Sequence, residues 1–213
     1  MNKPNIIKIF KKVNAIIVDD HFVYTSGKHG SVYINKDALY PHTNLISLVG
    51  KMIAQKHLHQ KIDVVVGPAL GGIILAQWTA YHLAKLTKRD VLGVYTEKDS
   101  SGNQIFSRGY DKLIVKKRVL VVEDLTTTGG SVKKVMDKVN LAGGKVVAVE
   151  VMLNRDPIAC NSKTIGVPFS ALDVLLAEAF DEDRCPYCKT NRPINTSIGH
   201  GRMYLQEKQK KGV

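Results

Sequence analysis

The chain has 213 residues, of which 44% are hydrophobic and 23% charged, and these globular values exclude a disordered, collagen-like or heptad-only protein. Its formal net charge of +12 predicts an anionic partner, either nucleic acid or a small polyphosphate. Three cysteines do not make a disulfide framework, so a reducing cytoplasm is the expected compartment. No run approaches the ~18 apolar residues of a membrane span. The N-terminal segment interleaves lysines with isoleucines, which predicts an amphipathic helix and not a secretory signal.

Four short runs rich in β-branched residues, each bounded by turn residues, predict buried strands at 62–66, 91–95, 118–122 and 146–153. Apolar residues recur at helical spacing between them, in segments 45–53, 76–84 and 132–139. Strands alternating with helices predict an α/β fold, in which right-handed crossovers place helices on both faces of a parallel sheet.

The chain contains no internal repeat or low-complexity linker, which predicts one domain with appendages. The predicted parts are an N-terminal hood (1–40), an α/β core (41–180) and a C-terminal tail (181–213). Ligands of such sheets bind outside the carboxyl ends of the strands. The turns that follow the predicted strands, at 67–72, 97–109 and 123–131, are therefore the candidate ligand-binding segments.

The most informative turn lies in RVLVVEDLTTTGGSVKKVM, residues 118–136. A buried strand ends in Glu123 and Asp124, and then threonines, glycines and a serine precede a helix. Glycine backbone, helix N-terminal amides and hydroxyl groups together suit a phosphate. The acidic pair suits sugar hydroxyls or a magnesium shell, so the ligand should carry both phosphate and polyol. The turn is neither a P-loop nor a GxGxxG fingerprint.

The stretch VLVVEDLTTTGGS resembles the 5-phospho-α-D-ribose 1-diphosphate (PRPP) signature of type I phosphoribosyltransferases. The resemblance implies that Glu123 and Asp124 hold the ribose hydroxyls, with Mg²⁺ reached through ligand or water. Asp124 is a better candidate than Glu123 for stabilising the developing positive charge. The resemblance also implies a PRPP-binding set of Glu123, Asp124, Leu125, Thr126, Thr127, Thr128, Gly129, Gly130 and Ser131.

Two further turns fit the same family. The segment VVVGPALGGIILAQ, 64–77, resembles its pyrophosphate loop, with PRPP bound by Pro68, Ala69, Leu70, Gly71 and Gly72. The segment YTEKDSSGNQIFSRGYDKL, 95–113, has the polar, glycine-bearing composition of a mobile lid. Its cations, Lys98 and Arg108, are candidates to meet the leaving pyrophosphate. Lys98 is the preferred catalytic residue, and Arg108 is the alternative.

The segment FVYTSGKHGSVYIN, 22–35, resembles the part of orotate phosphoribosyltransferases that covers the base. This resemblance implies orotate contacts from Thr25, Lys28 and Tyr33, although Thr25 stands where many members have lysine. Arg155 follows the last buried strand and is a bidentate partner for a carboxylate or imide. The family also implies a base contact from Thr127.

The tail contains CPYC, residues 185–188, which is half of a zinc site. The two further ligands are expected only from Cys160, His200 or a partner chain. Free thiols at Cys185 and Cys188 are the preferred interpretation.

The implied activity is Mg²⁺-dependent transfer of phosphoribose from PRPP to orotate, giving orotidine 5′-monophosphate and diphosphate in UMP biosynthesis. The family also implies a homodimer, with small molecules as partners and no membrane. One alternative is a phosphoribosyltransferase that acts on a purine. Another is a PRPP-binding regulator without catalysis, which the +12 charge favours, but the sequence contains no nucleic-acid recognition motif.

Overall fold

The computed structural model describes residues 5–211, and the chain divides into two compact units. The first unit consists of the residues up to Ile9 together with Leu39–Leu175. The second consists of Phe10–Ala38 and the residues from Leu176 onward. Most of the predicted hood and tail thus belong to one unit, although they stand at opposite ends of the sequence.

In chain order, the strands are β1 (Ile16–Ile17), β2 (Phe22–Val23), β3 (His29–Gly30), β4 (Tyr33–Ile34), β5 (Val64–Pro68), β6 (Leu92–Lys98), β7 (Gln104–Ile105), β8 (Arg118–Thr126), β9 (Lys145–Asn154) and β10 (Phe169–Val174). The helices are α1 (Ile6–Lys12), α2 (Thr43–Lys56), α3 (Gly71–Thr87), α4 (Gly130–Leu141), α5 (Ser162–Ile165), α6 (Pro186–Lys189) and α7 (Gly201–Lys211). Residues 1–4 of the predicted N-terminal helix lie outside the described residues. No helix of the described part has the length and apolarity needed to cross a membrane.

The first unit is built on a six-stranded sheet of order β10-β9-β8-β5-β6-β7. The pairs from β10 to β6 are parallel, and β7 is antiparallel to β6. This confirms the predicted α/β fold and all four predicted strands. The sequence did not predict β10, whose residues are only partly buried and include Ser170 and Asp173. An edge strand of mixed polarity lacks the continuous apolar run by which a central strand is recognised.

Both faces of this sheet are covered because alternate strand residues point to opposite sides. On one face, Val119 and Val121 of β8 pack in a buried cluster with Val132 and Val135 of α4. On the other face, α3 packs against β5, β6 and β8, and α2 packs on α3. Leu120, between the two valines, is fully buried. The helical periodicities at 76–84 and 132–139 therefore belong to helices that cover the sheet, and the one at 45–53 belongs to α2, which packs on α3.

A charged group lies inside the first unit, at Glu150 in β9. Its side chain is 0% exposed and accepts hydrogen bonds from Lys56 Nζ at 2.6 Å and from the Ser170 hydroxyl. His57 Nε2 lies 3.2 Å from its second oxygen. Because a buried carboxylate loses its hydration, it is tolerated only with such partners. These contacts join the end of α2 to the β9–β10 edge of the sheet.

We expect Glu150→Ala to lower the free energy of unfolding by about 3–5 kcal/mol, because it leaves Lys56 and His57 facing a cavity without a counter-charge. Urea denaturation of the purified protein measures this loss. Glu150→Gln keeps the size of the side chain and part of its hydrogen bonding, so its free energy of unfolding should fall by clearly less than that of Glu150→Ala. Equal losses in the two variants would contradict a role for the charge.

The second unit joins short antiparallel hairpins to the tail. The strands β1 and β4 form one pair, and β2 and β3 form another. The Asn195 amide donates to Asp20 at 2.6 Å, and the Asn195 backbone amide donates to the His21 carbonyl at 2.8 Å. His29 and Phe180 exchange two backbone hydrogen bonds of 2.8 Å. Residues of the predicted hood and tail thus pair directly.

Candidate active site

Two loops of the first unit leave the same edge of the sheet. The strands β5 and β8 are neighbours and pair in parallel, with Val64 opposite Val119 and Val66 opposite Val121. Their carboxyl ends therefore lie together. The pyrophosphate loop (68–72) follows β5, and the phosphate loop (126–131) follows β8. The topology thus joins the two predicted anion-binding loops.

The phosphate loop turns from β8 into the 12-residue helix α4. Gly129 has φ +78°, and a Cβ there would overlap the Ile165 side chain, so glycine is required. Thr126 is buried, and its hydroxyl accepts a hydrogen bond from the Gly129 amide at 3.0 Å. Thr127, Thr128, Gly130 and Ser131 are exposed. Thr126 therefore braces the loop, while its exposed part presents hydroxyls and the amides of a helix start to an anion.

The acidic pair lies at the base of this loop. Glu123 and Asp124 are 7% and 5% exposed. Burial and the neighbouring charge of Asp124 raise the pKa of Glu123 to about 8, although the Asp124 amide and the Ser131 hydroxyl oppose this rise. The raised pKa favours the protonated form of Glu123, which can donate a hydrogen bond as well as accept one.

Asp124 is held in place by two contacts. One of its oxygens accepts the Leu125 amide at 2.6 Å, and the other accepts the Tyr40 hydroxyl at 2.7 Å. A Cβ at Gly71 would overlap both Asp124 Oδ2 and the Tyr40 hydroxyl. The pyrophosphate loop and the acidic pair are thus in direct contact. No signal in the sequence singled out Tyr40.

The pyrophosphate loop itself is closely packed. Gly67 and Gly72 approach each other so tightly that a Cβ on Gly67 would overlap the Gly72 backbone. Pro68, Gly71 and Gly72 are buried, and Leu70 is 81% exposed. The Ala69 amide donates to the Thr96 carbonyl at 2.8 Å. The loop is therefore anchored to β6 and leads directly into the N-terminus of α3.

The predicted lid contains a short hairpin of β6 and β7. Asp99 accepts the backbone amides of Ser101 and Asn103 at 2.9 and 2.8 Å, which forms the turn. Arg108 lies 3.4 Å from Glu97, and this ion pair raises the pKa of the Arg108 guanidinium. Lys98 is exposed and forms no salt bridge with any residue that the structure describes. The two candidate cations therefore differ, since only Arg108 has a local counter-charge.

The predicted base-binding residues belong to both units. In the first, Arg155 follows β9, and its backbone amide donates to the Thr126 carbonyl at 2.8 Å, which ties it to the phosphate loop. In the second, the Thr25 hydroxyl lies 3.0 Å from His200 Nε2. Lys28 Nζ lies 3.4 Å from Asp181, and the Tyr33 ring packs against Phe22 with centroids 5.3 Å apart.

With this geometry established, sequence comparison identifies the family. The sequence model of the phosphoribosyl transferase domain matches residues 35–161, which contain both loops, the acidic pair and Arg155. The chain belongs to the phosphoribosyltransferase family. A relative from Caldanaerobacter subterraneus subsp. tengcongensis, named orotate phosphoribosyltransferase, is 34% identical over 91% of this chain and 96% of its own length.

Solved structures of this family share the fold. Orotate phosphoribosyltransferase from Aeropyrum pernix has a TM-score of 0.62 and 26% identity, over 79% of this chain and 92% of that one. Adenine phosphoribosyltransferase from Thermoanaerobacter pseudethanolicus has a TM-score of 0.60 at 17% identity, over 78% and 99%. The resemblance to type I phosphoribosyltransferases inferred from the PRPP signature is thus confirmed. Since an adenine enzyme shares the fold, the fold alone does not select the base.

We expect Gly71→Ala to lower kcat/KM for phosphoribosyl transfer by about 10²-fold or more, because the added methyl group displaces the Asp124 carboxylate. Gly93→Ala is the matched control. The three atoms nearest to its Cβ would all belong to the end of the Gln77 side chain, the first at 3.1 Å, and that flexible side chain can move. Steady-state kinetics of the two variants test the contact, and equal activities would contradict it.

Proposed function

We propose that the protein is an orotate phosphoribosyltransferase, which transfers phosphoribose from PRPP to a ring nitrogen of orotate and releases diphosphate. The observation that carries the proposal is the arrangement at the carboxyl ends of β5 and β8, where a phosphate loop, a pyrophosphate loop and a buried acidic pair meet. The chain also belongs to a family in which its relatives are named orotate phosphoribosyltransferase. The resemblance carried by the sequence motifs implies the same activity.

We propose the following roles for the chain's own residues. The exposed part of the phosphate loop binds the 5-phosphate with its amides and hydroxyls, and the pyrophosphate loop binds the diphosphate. Glu123 and Asp124 bind the ribose hydroxyls. Displacement at the anomeric carbon develops positive charge on the sugar. Asp124, fixed by Tyr40, is placed to stabilise that charge without reorganisation.

Magnesium is part of the proposal, and the donor chemistry of the site limits how it is held. Glu123 and Asp124 supply carboxylate oxygens, which Mg²⁺ prefers. Among the described residues, no third acidic, histidine or cysteine side chain joins them as a ligand group. The ion would therefore be held mainly by substrate oxygens and water, and would neutralise diphosphate charge when bound.

Lys98 is the cation that we assign to the leaving diphosphate. It is exposed and is not engaged by a carboxylate in the described chain, whereas Arg108 already pairs with Glu97. By analogy with the family, the protein acts as a homodimer in the cytoplasm, and the segment that carries Lys98 closes over the substrate. Such closure excludes water that would hydrolyse PRPP.

Lys98→Ala should lower kcat by about 10²–10³-fold, because the charge of the leaving group then lacks a preorganised partner. Arg108→Ala should lower kcat by less than about tenfold. Lys117→Ala, at an exposed lysine beyond the lid segment (95–113), serves as the control for a change of net charge. A larger loss in Arg108→Ala than in Lys98→Ala would reverse the assignment.

The base is the second part of the proposal. Arg155 is held at the carboxyl end of β9 next to the phosphate loop, where a guanidinium suits the carboxylate and imide of orotate. A phosphoribosyltransferase that acts on a purine would not need the Arg155 guanidinium, because a purine base has no carboxylate. We therefore expect Arg155→Ala to lower orotate turnover by about 10–10²-fold while PRPP still binds. The control is Arg89→Ala, which removes only a surface pair with Asp63.

The deciding experiment uses the purified full chain with PRPP, Mg²⁺ and one base at a time. Pyrophosphate release should occur with orotate and be absent with uracil, adenine and hypoxanthine. Turnover of adenine or hypoxanthine would replace the proposal with a purine enzyme. PRPP binding by calorimetry without turnover of any base would indicate the regulator instead.

A further inference from the structure

Four potential metal ligands meet in the second unit, and none of them is a residue proposed for catalysis. We call them the His–Cys cluster, which consists of His21, His29, Cys185 and Cys188. One ligand atom from each lies within 4.8 Å of every other. Two of these residues come from the CPYC segment. The other two come from the β2–β3 hairpin, where His21 directly precedes β2 and His29 begins β3.

This corrects the expectation from sequence. Cys160 and His200 were expected as the only ligands within the chain that could complete the CPYC segment, and that expectation was wrong. Cys160 belongs to the first unit, where its sulfur lies 3.6 Å from the Thr126 hydroxyl. His200 faces Thr25. The two histidines that do meet the cysteines lie more than 150 residues before them, and spacing along the chain carries no sign of this.

The distances approach those of a tetrahedral site. Cys185 Sγ and Cys188 Sγ lie 3.6 and 3.8 Å from His21 Nε2, and Cys188 Sγ lies 3.4 Å from His29 Nδ1. Zinc bonds of ~2.0–2.3 Å to nitrogen and sulfur give tetrahedral edges of about 3.3–3.8 Å. The two histidine nitrogens are closer, at 2.9 Å. Small side-chain movements would bring all four atoms to bonding distance of one ion.

The orientation of His21 also suits a ligand. Its Nδ1 lies 2.8 Å from the Arg192 carbonyl, and a carbonyl can only accept a hydrogen bond. Nδ1 therefore carries the proton, and the neutral ring directs the lone pair of Nε2 into the cluster. Such a hydrogen bond to the second nitrogen is the usual support of a metal-binding histidine.

Without an ion the cluster is poorly satisfied. The His29 Nδ1 proton and the two thiols all face the single lone pair of His21 Nε2. His21, His29 and Cys185 are at most 1% exposed, so water has little access to them. Nε2 of His29 has no hydrogen-bond partner among the described residues. The His29 ring packs edge-to-face with the Tyr204 ring, with ring centroids 5.1 Å apart. A divalent ion would satisfy all four inward-facing atoms at once.

We propose that the His–Cys cluster binds one Zn²⁺ ion, with no open coordination position. Two thiolates balance the charge of Zn²⁺, so the buried centre is neutral overall, and a closed tetrahedral site with two nitrogen and two sulfur ligands is characteristic of structural zinc. The ion would tie the β2–β3 hairpin to α6. Thr25 and Lys28, which lie in the turn of that hairpin, would be fixed with it.

The test measures metal directly, so it does not depend on which base the enzyme uses. The full chain, produced with zinc in the medium and purified without chelator, should contain about one zinc per chain by mass spectrometry of the elements. Cys185→Ser and Cys188→Ser should each lower this to below about 0.1. The matched controls, Cys160→Ser and His200→Gln, should retain the metal.

Wild-type protein provides a second measurement in case the cysteine variants do not fold. A mercurial reagent that modifies thiols should release the zinc stoichiometrically to a coloured indicator. Protein loaded with cobalt should show thiolate-to-cobalt charge transfer and the intense visible bands of tetrahedral Co²⁺. Wild-type protein that lacks zinc, a Cys185–Cys188 disulfide found by mass, or cysteine variants that keep the metal would each overturn the proposal.

Discussion

The parallel pairing of β5 with β8 is the constraint on which the candidate active site depends. Because the two strands run in the same direction, the loops that follow them must leave the same edge of the sheet. The resulting approach is so close that only glycine fits at position 71, against the Asp124 carboxylate and the Tyr40 hydroxyl. Helices pack on both faces of the sheet at these strands, so the carboxyl ends of β5 and β8 are supported from both sides.

Two adjacent carboxylates beneath a phosphate loop would repel a bound phosphate, and burial weakens this repulsion because it disfavours the charged form of a carboxyl group. The raised pKa of Glu123 favours its neutral form, which lessens the negative charge that a phosphate faces. The same geometry leaves the acids able to bind hydroxyl groups. The site uses only a few of the 31 basic residues. The net charge of +12 therefore reflects mainly residues outside it.

The second unit follows a different principle, since its strands are only two residues long and form no larger sheet among the described residues. Two-stranded ribbons of this length are marginal by themselves. Here they are held by hydrogen bonds between distant parts of the chain, such as Asn195 with Asp20, and by the convergence of the His–Cys cluster. A cross-link at that cluster would reduce the conformational entropy of the unfolded chain.

The sequence by itself determined the features whose chemical groups lie next to one another along the chain. The strand that ends in Glu123 and Asp124 and continues into TTTGGS already contains every group of the phosphate loop, and the alternation of strands and helices predicted the parallel sheet. Tertiary structure alone decided the contact of Tyr40 with Asp124, 84 residues apart, and that of His21 with Cys185, 164 residues apart. Within residues 5–211, it also decided that Arg108 has a carboxylate partner and Lys98 has none. A sequence motif shows only residues that are close together along the chain. The contacts of Tyr40 with Asp124 and of His21 with Cys185 exist because the folded backbone brings distant segments together.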